Sequence, residues 1–204
     1  MRIANQYRIA IIALSWALAF PLAVHAQEKT PVRLLEPSDT SSPAATLNSL
    51  IDSCNELDKL IESGAMSDER EAEILPTAER VLDCLDLSEL PKELRITAGI
   101  ESALFLKEVL DRIELPADDD IPKVGAVESP AGTDPLLRWH IPHTRIAIAR
   151  VEEGPQRNVF LFTPATVRRA AQFYRIVKGL PYRTDGRGVS QGLYDSYLAA
   201  TKKK

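Results

Sequence analysis

Cysteine, histidine and glycine are scarce in this chain, and each shortage excludes something. Two cysteines, Cys54 and Cys84, in 204 residues cannot make a disulfide-built scaffold. A chain this long buries roughly two-thirds of its unfolded surface and folds without one. Of the histidines, only His140 and His143 lie beyond the first 26 residues. They have no cysteine or clustered carboxylate beside them, and a zinc site needs three or four ligands. G-x-S-x-G and H-E-x-x-H are both missing. Gly186, Gly188 and Gly192 lack the Lys-Ser/Thr of a phosphate loop, and Asp118-Asp119-Asp120 lacks the spaced ligands, glycine and closing Glu of an EF-hand. No nucleophile–base pair, metal set or cofactor loop is visible, so the sequence predicts a non-enzyme without a cofactor. No apolar run beyond residue 26 reaches the roughly 20 residues of a spanning helix.

The apolar share, 45%, belongs to a folded chain rather than a disordered one. The first 26 residues stand apart. Arg2 and Arg8 are their only charges, Ile9 to Val24 is almost wholly apolar, and Val24-His25-Ala26 offers small residues at a cleavage point. This is the pattern of a secretory signal peptide cut after Ala26, which predicts an exported, periplasmic protein. Pro21 and the shortness of the run argue against an uncleaved anchor. An oxidising compartment permits a bridge between Cys54 and Cys84, the only pair there is. Two buried thiols acting as small hydrophobes are the other reading.

Residues 27–43, rich in Pro, Ser and Thr, read as a flexible leader. Residues 44–114 read as a helical unit of about three antiparallel helices. The first, Ala44 to Ser63, carries Leu47, Leu50, Ile51, Cys54, Leu57 and Ile61 as one stripe. The second starts after Ser67 and is interrupted by Pro76, which predicts a split or kink. Its apolar residues are Ala78, Val81, Leu82 and Leu85. The third, about Pro91 to Ile113, carries Ile96, Ile100, Ala103, Leu106, Leu110 and Ile113. Residues 115–135 read as a linker. Residues 136–199 predict a β-hairpin and a helix. Strands are expected at Leu137–Ile141, Arg145–Val151 and Val159–Phe162, with Thr163-Pro164 capping a helix that Gly179 ends. Residues 200–204 are a basic tail. The fold class expected is α+β.

Charge divides along the same boundary. Residues 27–128 carry 10 basic and 24 acidic side chains; residues 129–204 carry 13 and 5. Either the two parts attract and pack, or the basic part faces an anionic membrane surface, where each Lys or Arg is worth about 1 kcal/mol. Nucleic acid fits neither the compartment nor the negative net charge.

The run from Trp139 to Tyr182 carries a recognisable set of motifs. Trp139, Ile141, Pro142 and Thr144 form a Trp-x-Ile-Pro-x-Thr series. Val151, Gly154 and Pro155 follow, then Phe160, Leu161 and Phe162, then Thr166 and Val167. Phe173-Tyr174 and Leu180-Pro181-Tyr182 complete the set. Together with Cys84-Leu85-Asp86-Leu87-Ser88 and Leu106 to Asp111, this resembles the extracytoplasmic N-terminal region of bacterial MscS-like mechanosensitive channel proteins. The resemblance spans about residues 80 to 198. It implies a periplasmic contact module whose partner is a membrane channel, another envelope protein or a second copy of itself. Such proteins continue into transmembrane helices and a pore, whereas this chain stops at Lys204. The expectation is therefore a stand-alone module or a truncated channel protein, in neither case conducting ions by itself. His143 departs from the pattern, standing where a small residue is expected. A free-standing periplasmic protein that binds a small ligand is the alternative function.

Overall fold

In the computed structural model, residues 37–64, 68–123, 137–184 and 187–202 are described. The signal segment 1–26, residues 27–36 of the leader, residues 124–136 and Lys203-Lys204 lie outside them.

A side-chain cap starts the first helix. Ser42 Oγ accepts from the Ala45 N–H, and Pro43 occupies the first helical position of α1 (Pro43–Glu62). The expected stripe of α1 is buried throughout. α2 (Asp68–Asp83) runs through Pro76 as one helix, so the expected split does not occur. Proline removes one N–H, which frees the Ala72 carbonyl. Ala72 is exposed, where water can satisfy it. A 3-10 turn over Lys92–Leu94 leads into α3 (Arg95–Leu110). Ile96 is 67% exposed, not part of the core stripe. It lies in the first turn, close in sequence to Leu94, which is also exposed, where the helix enters from the surface.

Three short strands follow: β1 (Arg138–His140), β2 (Ala147–Arg150) and β3 (Phe160–Phe162). They form an antiparallel sheet in the order β1-β2-β3, with Trp139 opposite Ile148 and Ile148 opposite Phe162. The free edge of β3 is covered. Phe162 N–H donates to the Cys84 carbonyl, the Asp86 N–H donates to Phe162, and Phe160 N–H donates to Thr40. Residues 37–43 thus belong to the fold, held further by Ser38 Oγ donating to the Arg80 carbonyl at 2.7 Å.

α4 (Pro164–Val177) is capped by Thr163, whose Oγ1 accepts from the Thr166 N–H. Thr166 Oγ1 in turn accepts from Ala147 N–H at 3.0 Å and donates to the Ala147 carbonyl. The helix start is therefore stitched to β2. α5 (Leu193–Thr201) ends the described chain. Five helices and a three-stranded antiparallel sheet among the described residues make the class α+β.

Helical and hairpin segments share one core. Leu47, Leu104 and Leu106 lie in the same buried cluster as Ile141, Ile148, Phe160 and Phe162. Residues 115–123 also pack: Ile121 is buried, and Pro122 accepts from the Ala44 N–H. Residues Leu34–Lys204 form one compact unit. No helix among the described residues is long and apolar enough to cross a membrane.

Candidate functional site

Four charges in the last turn of α3 and the turn that follows it are buried: Lys107, Glu108, Asp111 and Arg112. On a helix, residues four apart face each other, so they form two ion pairs side by side. Lys107 Nζ lies 2.6 Å from both oxygens of Asp111. Arg112 Nη1 donates to Glu108 Oε2 at 2.5 Å. Lys107 is 0% exposed and Glu108 1%. Charges this deep demand further partners.

Those partners come from residues 182–194. Tyr182 OH donates to Glu108 Oε2 at 2.8 Å and accepts from the Gly192 N–H at 2.8 Å. The Tyr194 N–H donates to Glu108 Oε1, and the Ser190 N–H to Asp111 Oδ2. Lys107 also donates to the Gly188 carbonyl. The Arg112 guanidinium lies over the Tyr182 ring, 3.7 Å from its centroid. Gly188 has a φ of +79°, and a Cβ there would stand 2.6 Å from Asn55 Nδ2. Only glycine satisfies both demands.

A second layer reaches α1. Ser190 Oγ donates to Asn55 Oδ1, Asn55 Nδ2 to the Arg187 carbonyl, and Arg187 to Asn48 Oδ1 and the Pro116 carbonyl. Arg187 also pairs with Asp118. This pair and Arg168–Glu89 join the basic and acidic parts of the sequence.

Burial raises the Asp111 carboxyl above its ordinary value, against the opposing pull of Lys107. Burial, and then the carboxylate it donates to, raises the Tyr182 phenol. Each carboxylate here is already engaged by protein donors, which leaves neither as a free base. The arrangement clamps residues 182–194 onto α1 and α3.

The thiols of Cys54 and Cys84 are both free and buried. Burial drives both pKa values up, that of Cys84 to about 12. Neither is a nucleophile at neutral pH, since thiolate is the reactive form. At about pH 8, where an ordinary thiol near 8.5 reacts readily, iodoacetamide should leave the native protein unlabelled and modify two thiols once urea unfolds it. Fewer than two after unfolding without reductant would mean a bridge. Fast labelling of the native state would contradict the burial.

The motif residues serve mainly the hairpin and its packing. Ile141 is buried, and its carbonyl accepts from both the N–H and Oγ1 of Thr144, while Pro142 is exposed. His143 sits between them with a φ of +60°, in the left-handed region that favours glycine. Gly154 and Pro155 form the exposed β2–β3 turn. Trp139 and Phe173 are partly buried against the core, and Phe160 and Phe162 are fully inside it. Tyr174 stacks on Phe105 with centroids 5.3 Å apart. Pro181 is exposed and Tyr182 enters the ionic network. His140 and His143 are both exposed, and among the described residues no three His, Cys, Asp or Glu side chains could hold a metal ion.

Beyond the network, α4 presents an exposed basic face. Arg168, Arg169 and Arg175 stand on it, Lys178 follows, and the helix contains no acidic residue. Ile176 (72% exposed) and Leu180 (51%) lie among them. No protein-family model, curated protein or solved structure matches this chain.

Proposed function

We propose that this chain is a non-enzymatic exported module that acts by contact at an anionic membrane surface, as a relative of the N-terminal region of MscS-like channel proteins would. The observation that carries this reading is the exposed face of α4, where Arg169 and Arg175 stand beside Ile176 with no acidic residue on the helix, and Lys178 and Leu180 continue it just past the helix end. Cations flanking exposed apolar side chains suit the boundary between headgroups and acyl chains. The signal pattern and the Trp139–Tyr182 motif run support export and the family. The internal engagement of Glu108 and Asp111 supports a role without catalysis. A channel or other envelope protein at that surface is the partner this reading expects.

Vesicle co-sedimentation tests it. The protein should pellet with phosphatidylglycerol-containing vesicles, not with phosphatidylcholine alone, and lose binding as salt rises. Neutralising Arg169 and Arg175 together should remove about 2 kcal/mol, a drop of about thirtyfold in partitioning. Equal binding to neutral and anionic vesicles would refute the proposal.

A further inference from the structure

A groove of about 510 Å³ runs between the end of α3, the β1–β2 turn and α4. Its floor is apolar: Val109 and Ile113 on one side, Phe173 and Val177 on the other, with Ile176 at the lip. Its polar lining is cationic or neutral. His143, Arg145, Arg169, Thr144 and Gln172 contribute, and no Asp or Glu does. The groove beside Arg187 has the same volume but is lined by Asp111, Glu114 and Asp118. There the arginine is already taken by Asp118. By contrast, the guanidinium groups of Arg145 and Arg169 have no hydrogen-bond or ion-pair partner among the described residues.

We infer that this groove is a binding site for one single-chain anionic amphiphile, its alkyl chain on the apolar floor and its head group held by Arg145 and Arg169. The volume lies inside the range of small-ligand sites, roughly 300–1,000 Å³. An acidic peptide helix fits worse. Peptide helices that dock in grooves use anchors spread from i to i+7. Guanidinium groups suit a carboxylate or phosphate head, which they bind with two parallel hydrogen bonds. The inference stands apart from the membrane-contact reading, although both use Arg169 and Ile176.

The probe is dodecanoate below its micelle concentration, titrated calorimetrically into the full chain. Dodecyl maltoside, with a neutral head, is the comparison. The expected result is saturable binding of one equivalent, weakened at least about tenfold in the Arg145→Ala/Arg169→Ala double variant. Ile176→Ser should weaken it too. All three positions are exposed, so the fold should be unaffected, and circular dichroism checks that. Equal affinity for the maltoside, undiminished binding by the double variant, or many equivalents bound without saturation would each overturn the site. Binding to anionic vesicles without binding of monomeric dodecanoate would also overturn it, while leaving the membrane-contact reading intact. Dodecanoate binding without vesicle binding would support the site and refute that reading.

Discussion

Glu108→Ala should destabilise the protein by about 3–5 kcal/mol, the usual cost of stripping one partner from a buried ion pair. Glu108 is the hub of the network. It takes Arg112, the Tyr182 hydroxyl and the Tyr194 N–H at once. Removing it leaves a buried guanidinium whose remaining support is a carbonyl and the faces of Tyr182 and Tyr174. The Tyr182 hydroxyl and Tyr194 N–H lose their acceptor as well. Glu108→Gln keeps an acceptor oxygen but not the charge, so its loss should be smaller. Urea denaturation measures the cost. Amide exchange should also show Gly192 and Tyr194 opening sooner in the variant, because their donors are tied to this carboxylate directly or through Tyr182. A loss under about 1 kcal/mol, as for a surface pair, would show that the network is not buried in solution.

Lys107→Met should cost a similar amount, about 3–5 kcal/mol at neutral pH, and its cost should depend on pH. The substitution leaves Asp111 buried with only the Ser190 N–H to stabilise its charge. Burial already raises this carboxyl, and Lys107 is the main force opposing the rise. Without the lysine the folded-state value climbs further above the ordinary 3.8. A carboxyl raised on folding favours the folded state while protonated. That contribution is present below the unfolded value and lost as pH rises through the folded one. The variant should therefore lie closest to wild type in acid and fall away toward neutrality. Lys107→Met/Asp111→Asn should recover much of the loss, since asparagine still accepts from Ser190. A flat pH dependence of the difference between Lys107→Met and wild type would contradict the pairing.

Local signals in the sequence were faithful where the structure they specify is local. The Leu47-to-Ile61 stripe lies on one buried helix face, and Thr163-Pro164 starts α4 where a cap and a first-turn proline belong. The ionic network was not legible for the opposite reason. Lys107, Glu108, Asp111 and Arg112 look like ordinary solvent-facing i, i+4 pairs. Only residues 74 to 86 positions later bury them, through Tyr182, Gly188, Ser190 and Tyr194. Thr184 to Gly192 reads as irregular glycine-rich chain, and nothing in its composition says which helix it covers. One trace was there: two opposite-charge pairs on adjacent positions of a helix flanked by leucines. Ile96 erred the other way, because periodicity continues into a first turn that no other element covers. Residues 115–123 read as linker because Leu115 and Ile121 stand among two prolines and three aspartates with no apolar period.

The clamp also sets an order of events. The bonds joining Asn48 and Asn55 to Arg187 and Ser190 span 132 to 139 residues. A ribosome making this chain releases α1 and α3 long before the tyrosines and amides that satisfy α3's charges. Until then the nascent helices carry a lysine, two acids and an arginine that water solvates better than a half-built interior can. Such long-range closure is slow compared with helix formation. The interior around these charges therefore closes only after residues 182–194 have been added to the chain.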